Sequence, residues 1–516
     1  MAGISTTIRR RLNPGPHSGQ GRRPAATLCS APVQALERDL CRLLGAQRVV
    51  YEPDALLAWE CDGFTVHRSR PRAVVLPDST AEVQAIVRLL HAADVPFVPR
   101  GAGTCLSGGP TAAATTVVID LSRMRRVLRI AVEDLFAVVQ PGVVNLDLTA
   151  AVRHLGLHYA PDPSSQSVCT IGGNLAENSG GPHCFKYGMT QDHVLSALVV
   201  LPDGELARLG CEAGSRPPHA LDLPALFCGS EGTFAIATEI TVRLCRDQES
   251  VRTLLFAFAS MSAACRTVSD VVAAGLVPAA LEILDQATIR AVEASVYRAG
   301  YPPEAAAVLL VELDGPDFVT AEEAAEVRAC GERHAALRIE EAVEPQERAR
   351  LWKGRKGAFG AMGRLATDLY VLDGVVPRTR LEEALERIAA IGRRHGVVPN
   401  NVFHAGDGNL HPNISFDGRC PDQTARTIAA GHEILQLCVD LGGSITGEHG
   451  VGSEKLDHIG MMFSPADLDV MARVRAVFDP DGRCNPGKAL PSRAGCAEVA
   501  KWPQMVARVL GVEDGA

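Results

Sequence analysis

Two glycine-rich loops, each following a short apolar run, constrain this chain more than any other feature. The first is Pro99-Arg-Gly-Ala-Gly-Thr-Cys-Leu-Ser-Gly-Gly-Pro110. The second spans 160–181 and contains Asp162-Pro-Ser-Ser-Gln166 and Thr170-Ile-Gly-Gly-Asn174. Gly101, Gly103, Gly108 and Gly109 allow positive φ and let backbone approach a ligand closely. Amides bared in this way cradle anions. The spacing is not the G-x-G-x-x-G that opens a helix in a dinucleotide fold, because Gly108 comes two residues late and Pro110 follows. Taken alone, the first loop reads equally well as a mobile turn. The second changes the balance, since its Gly-Gly pair precedes a short helix, a setting that suits phosphate. A third piece, Gly229-Ser-Glu-Gly-Thr-Phe234, opens the last strand of this half. Three such loops together point to one large polyphosphorylated ligand.

Around the loops, short apolar strands alternate with helices. Strands are expected at 73–76, 97–99, 116–121, 136–140, 194–201 and 234–244, and helices at 33–44, 80–93 and 145–154, which indicates an α+β or α/β domain. A polar break at 246–250 marks a boundary. Beyond it, a strand at 253–258, a helix at 262–274, a strand at 308–313 and a helix at 321–336 give the order of a ferredoxin-like sheet with helices on one face. Further helices are expected at 381–395, 422–441 and 465–478. At 516 residues the chain has room for two or three domains.

The second half carries Phe403-His-Ala-Gly-Asp-Gly-Asn-Leu-His-Pro-Asn413. Asp407-Gly408 is a strong two-residue hairpin signal. With that pair at the tip, His404 faces His411 directly across the strands, close enough for both imidazoles to reach one ion. Asn413 lies on the same face. Gly447-Glu-His-Gly-Val-Gly452 then offers Glu448 as a third ligand and His449 as an adjacent base. Two His and one carboxylate with open positions form a catalytic arrangement for a divalent metal such as Zn or Mn, rather than a closed structural one.

The net charge of −9 argues against a nucleic-acid partner, and no apolar run is long enough for a transmembrane helix. Residues 1–36 hold no acid but five arginines, Arg9, Arg10, Arg11, Arg22 and Arg23. That is the composition of an organelle transit peptide or of a plain basic tail. Fifteen cysteines occur with no C-x-x-C pair. Thiolate spacing for an iron–sulfur cluster is therefore missing, and scattered free thiols fit a reducing interior.

The glycine loops and the segment Gly229-Ser-Glu-Gly-Thr-Phe234 resemble the FAD-binding domain of the vanillyl-alcohol oxidase/p-cresol methylhydroxylase superfamily. The resemblance implies pyrophosphate contacts at Arg100, Gly101, Gly103, Thr104, Ser107 and Gly108. It implies ribityl and pyrophosphate contacts at Pro163, Ser164, Ser165, Thr170, Gly172, Gly173 and Asn174, with Gly232 and Ile236 near the adenine end. The first loop has no His of the kind that tethers flavin in some members, so non-covalent FAD is expected, and Cys169 reads as a packing residue. The stretches Trp352-Lys-Gly-Arg-Lys-Gly-Ala-Phe359, Phe403–Asn413, Gly447–Lys455 and Cys484-Asn-Pro-Gly487 resemble the flavin enzymes of D-2-hydroxy acids. That group comprises D-lactate dehydrogenases, D-2-hydroxyglutarate dehydrogenases and, nearest in motif, the FAD subunits of bacterial glycolate oxidases.

This resemblance implies FAD-dependent, metal-assisted oxidation of a small acid such as glycolate or D-lactate, with His449 as base and Arg355 and Asn413 orienting the substrate. Asn485 would return the C-terminal segment to the flavin. Val371 stands where D-2-hydroxyglutarate enzymes carry a Lys, which suits a monocarboxylate. The expected layout is a basic tail (1–36), an FAD-binding domain (37–248), a substrate or cap domain (249–425), a C-terminal helical segment returning to the flavin (426–490) and a tail (491–516). Electrons would leave to a separate protein, a second FAD-domain subunit with an iron–sulfur subunit. The expected setting is cytoplasmic, attached to the inner membrane through partners, with a mitochondrial cytochrome-linked enzyme as the alternative. Two other classes compete: a flavin scaffold subunit without chemistry, and a flavin-dependent transferase. The metal hairpin separates both from the dehydrogenase.

Overall fold

The computed structural model describes residues 35–211 and 221–491. The expected tails at 1–36 and 491–516 lie almost wholly outside them. The first lobe holds β1 (Val49–Val50), β2 (Ala73–Val75), β3 (Phe97–Arg100) and β4 (Val117–Asp120) in the order β1-β2-β4-β3. Strand β4 is parallel to both neighbours. Its four residues are all buried, as a strand covered on both faces requires. Helix Thr80–Ala92 packs here through Val83, Ile86, Val87 and Leu90, and Ser79 caps it by accepting from Glu82 N.

The second lobe holds β5 (Val127–Ala131), β6 (Phe136–Val139), the short β7 (Leu157–His158), β8 (Val194–Val200), β9 (Leu206–Gly210), β10 (Ile236–Arg243) and the short β11 (Cys245–Arg246). Five of them form an antiparallel sheet in the order β5-β6-β10-β8-β9. Strands β5 and β9 have no counterpart in the sequence reading; both are edge strands with a single buried residue each.

The third lobe is a large antiparallel sheet of β12 (Ser250–Phe258), β13 (Ala280–Asp285), β14 (Ala307–Gly315), β15 (Arg338–Ala342), β16 (Asp368–Val371), β17 (Gly374–Val375), β18 (Pro399–His404), β19 (Asn409–Leu410) and β20 (Pro412–Phe416). Its main path runs β15-β12-β14-β13-β18-β19-β17, with β20 joining β18 to β16. Helices cover both faces, not one. Leu254, Phe256 and Phe258 meet helices Met261–Ala273, Asp317–Arg333, Leu381–His395 and Pro421–Asp440. Leu255 and Ala257 meet helices Gln286–Glu293, Pro345–Lys356 and Ala358–Met362. The cause is local: β12 is apolar at both parities, so neither face can meet water.

Helix Pro421–Asp440 packs on Leu381–His395 and continues through the boundary placed at 425, so the helical layer of this lobe extends to residue 440. After helix Pro465–Phe478 the chain returns to the first lobe. There Cys484 bridges Phe97 in parallel, and Asn485 N donates to Phe97 O (2.8 Å).

Candidate active site

The two glycine loops and the segment 229–232 wall a cavity of about 690 Å³ between the first two lobes and the third. Of the expected cofactor residues, all but Ser107 and Gly108 lie on this wall. The loops touch. A Cβ on Gly101 would stand 2.5 Å from Thr170 Oγ1, and one on Gly172 2.5 Å from Pro141 Cβ. Thr170 caps helix Ile171–Glu177 by accepting from Gly173 N, so the start of that helix faces the cavity. Asn174 Nδ2, Ser230 Oγ and Asn485 Oδ1 belong to wall residues and are buried without partners. Polar atoms so placed await a ligand. The chamber is of the size that cofactors occupy, and its residues fit FAD.

Three expected contacts take a different part. The Arg100 guanidinium turns inward, Nη2 donating to Cys61 O (2.9 Å), and the first loop wraps around it. Gly108 N donates to Asp62 Oδ2 (2.9 Å). Ser107 Oγ donates to His449 O (2.9 Å), and Ser107 O accepts from Ser453 N and Glu454 N. Ser107 and Gly108 thus tie the first loop to the segment 449–454 and to Asp62. Residue type and position resemble a phosphate binder and do not announce the distant partner.

The hairpin differs in register from the sequence reading. His404 lies opposite Asn409, and Asn401 opposite Pro412. The turn is therefore the four residues 405–408, not Asp407-Gly408 alone. Neighbouring chain holds it open: Val376 N donates to Gly408 O (3.0 Å) and Arg378 Nη1 to Gly406 O (2.9 Å). A shift of two residues preserves faces. His411 is consequently a diagonal neighbour of His404, and the ring centroids are 5.2 Å apart.

Both Nε2 atoms lie 3.2 Å from Glu448 Oε1. The opposite ring nitrogens are committed. His404 Nδ1 stands 2.6 Å from Glu282 Oε1, and His411 Nδ1 3.2 Å from Leu372 O. A ring that donates through Nδ1 presents a lone pair at Nε2. Two such lone pairs and a carboxylate oxygen then converge with no donor among them, an arrangement a cation resolves. A proton competes with a cation for this place: burial opposes charge on His404, but Glu282 and Glu448 outweigh it and raise its proton affinity well above the imidazole norm. Burial alone would raise the Glu448 carboxyl; hydrogen bonds from His404 and His411 hold it well below the usual range. The donor set fits a divalent ion.

His449 stacks on His411 with centroids 5.0 Å apart, and it lines the cavity together with His411 and Glu448. Its Nδ1 is buried without a partner. Burial pushes its pKa down to about 4 against the pull of Asp373, so the ring is neutral at pH 7. Asp373 also groups with His411 and His449, but its oxygens are spent. Its Oδ2 accepts from the backbone N–H groups of Gly447 (2.9 Å) and His449 (2.8 Å) and from Thr446 Oγ1 (2.6 Å). It moors the loop that carries the site.

Arg355 and Asn413 stand off the cavity wall. Arg355 is 1% exposed, with Nε donating to Glu282 Oε2 (2.6 Å). Its partner was missed because β13, which carries Glu282, was not foreseen. Asn413 Nδ2 donates to His411 O (2.6 Å) and so holds the backbone of a ligand residue. Phe359, Leu369 and Val371 give the cavity an apolar stretch that it shares with His411 and Lys356. No helix among the described residues is long and apolar enough to cross a membrane.

Two family models match, the FAD binding domain over residues 71–210 and the C-terminal domain of FAD linked oxidases over 247–489. The chain is 44% identical to the glycolate oxidase subunit GlcD of Escherichia coli, over 87% of this chain and 90% of the relative. It is 31% identical to a mitochondrial D-lactate dehydrogenase [cytochrome] of Arabidopsis thaliana, over 82% and 74%. Among solved structures, p-cresol methylhydroxylase matches with a TM-score of 0.75 at 16% identity, over 88% of this chain and 96% of that one. This last likeness shows the two-lobed FAD-binding fold with its cap. The flavin loops, the chamber they wall and these matches agree, and the chain belongs to the FAD-linked oxidases as a FAD-dependent oxidoreductase.

Proposed function

We propose that this protein oxidises a small D-2-hydroxy acid, glycolate or D-lactate, to the 2-oxo acid. The observation that carries the reading is the convergence of His404 Nε2, His411 Nε2 and Glu448 Oε1, with neutral His449 alongside, at the cofactor chamber. FAD, when bound, supplies the acceptor for the hydride that leaves Cα. A divalent ion held by His404, His411 and Glu448 would supply Lewis acidity toward the substrate hydroxyl.

The chain's own residues do the rest. His449, neutral and on the cavity wall, takes the hydroxyl proton. Glu282 and the Leu372 carbonyl orient the two imidazoles. Arg355 compensates the Glu282 charge, and Asn413 fixes the His411 backbone. Val371 and Leu369 give the cavity an apolar wall that suits a small acid. Electrons pass to a separate protein acceptor, as the subunit status of the GlcD relative supports. A second FAD-domain subunit with an iron–sulfur subunit is the favoured partner set, in a cytoplasmic setting.

The test is anaerobic. The FAD-loaded chain is mixed with glycolate, D-lactate, L-lactate and D-2-hydroxyglutarate in turn while flavin absorbance is followed. Bleaching by glycolate or D-lactate that a chelator abolishes is the expected result. Bound FAD that none of the four acids reduces would remove the dehydrogenase reading.

A further inference from the structure

A second cavity of about 870 Å³ lies against the first, between helix Asn145–Val152 and helix Pro345–Lys356. Ser164 and Lys356 belong to the walls of both. We propose that this second cavity is the passage by which the anionic substrate enters, and that Lys356, at the junction, is the cation that receives its carboxylate. The inference rests on the small-acid reading above.

The charge pattern of the wall supports it. Each acid there already has a partner. Asp162 and Glu312 share His183 (2.8 and 3.0 Å), Asp247 meets His158 (2.9 Å), and Asp314 takes Lys186 and Tyr187. Among the described residues, the wall cations Arg153, Arg348, Lys353 and Lys356 make no ion pair. Four Lys and Arg side chains thus stand opposite four carboxylates on this wall, and the cations left outside ion pairs are free to meet an incoming anion.

Position singles out Lys356. Arg355 is buried and engaged by Glu282, whereas Lys356 is exposed, and its ammonium makes only a ring contact, 5.7 Å from the Trp352 centroid. In the next helix, Ala358–Met362, Phe359 lines the first cavity together with Lys356 and packs edge-on to His411 with centroids 6.4 Å apart. A flexible four-carbon stem reaching from the Trp352 ring can therefore accompany a carboxylate from one cavity into the other. Such a residue positions substrate; it does not take part in the chemistry.

The test compares Lys356→Met, Lys356→Arg and Lys353→Glu with the wild type, all FAD-loaded, using a dye as acceptor. Two quantities are read: KM against kcat for glycolate and D-lactate, and the affinity for oxalate, an unreactive anion, from its perturbation of the flavin spectrum. In Lys356→Met, KM and the oxalate Kd rise about tenfold, the scale of one charge-assisted hydrogen bond, and by more than kcat falls. The rise of KM with added salt flattens, because a screened charge has been removed. Lys356→Arg retains most of the affinity, and Lys353→Glu weakens both anions without touching the junction. Unchanged KM, oxalate affinity and salt response in FAD-loaded Lys356→Met would overturn the passage while wild-type turnover left the dehydrogenase reading standing. An effect confined to the KM of the acceptor would overturn it too. A wild type that no acid reduces would instead remove the reading beneath it.

Discussion

Glu282 is the residue whose loss the structure predicts in most detail. Fully buried on β13, it accepts from Arg355 Nε through one oxygen and faces His404 Nδ1 through the other, each at 2.6 Å. Burial would raise its pKa, but Arg355 and His404 pull it below the usual carboxylate range, so it is charged at neutral pH. Glu282→Gln keeps the shape and removes the charge, which strands a guanidinium that is 1% exposed. Breaking a buried pair in this way costs roughly 3–5 kcal/mol. Glutamine still accepts one hydrogen bond, so about 3 kcal/mol is expected, and at roughly 2–4 °C per kcal/mol for a lobe of this size the melting temperature falls by about 6–12 °C. Weakening the support of a ligand imidazole also lowers metal affinity by roughly 10–100-fold. Thermal unfolding of the FAD-loaded protein reads the first effect, and metal titration against a chelating dye the second. Glu282→Leu combined with Arg355→Met should regain much of the stability, since an apolar pair replaces the ion pair, without regaining the metal. A Glu282→Gln protein that melts with the wild type and holds metal as tightly would refute the reasoning.

Three further outcomes follow from the geometry. His411→Ala should bind FAD as the wild type does but lose the metal, read by elemental analysis beside the flavin spectrum; equal metal content would dismiss the triad. His449→Ala should keep both and lose turnover by roughly 10²–10⁴-fold, whereas near-normal turnover would take the base role from it. Glu312 governs an acid limb. Burial would raise it, but the hydrogen bond and charge of His183, with Thr253 and Trp352, bring it down to about 2 from an ordinary 4.5. Its stabilisation is full above pH 4.5 and is lost as pH falls toward 2. His183, raised well above 6.5 chiefly by Asp162 and Glu312 against burial, contributes below pH 6.5 and is lost as pH rises through its elevated value. Melting temperature against pH should therefore fall on the acid side in the wild type and lose that limb in Glu312→Gln.

Local pattern carried much of the fold. Helices Leu381–His395 and Pro465–Phe478 have the bounds their periodicity implies, because apolar stripes and caps are local facts. The hairpin faces were legible for the same reason, since parity survives a register shift of two. The register itself was not. It is set by Val376 and Arg378, which approach the turn from a different strand connection. Glu282 was hidden because a short run holding one acid among apolar residues does not announce a ligand support, and its partners lie 73 and 122 positions away. Arg355, read as the substrate clamp, is held by Glu282 through Nε while its Nη2 stays buried without a partner, a setting that its residue type does not announce.

The most consequential contacts join the halves of the molecule. Residues 446–455 hang between the lobes, held largely by buried acceptors that take their backbone amides. From the cap, Asp373 holds Gly447, Glu448 and His449. From the FAD lobes, Glu231 holds Val451 and Gly452, each at 2.7 Å, while Ser107 O takes Ser453 and Glu454. Amide hydrogen bonds to a carboxylate are charge-assisted and gain strength away from water. The loop that presents Glu448 to His404 and His411, and His449 to the cavity, is thus placed jointly by the FAD lobes and the cap. Ser107 explains how the two sites can sense each other: a residue of the pyrophosphate loop bonds the backbone of His449 through its hydroxyl. Through these bonds the loop 101–110 and the segment that carries His449 are placed together.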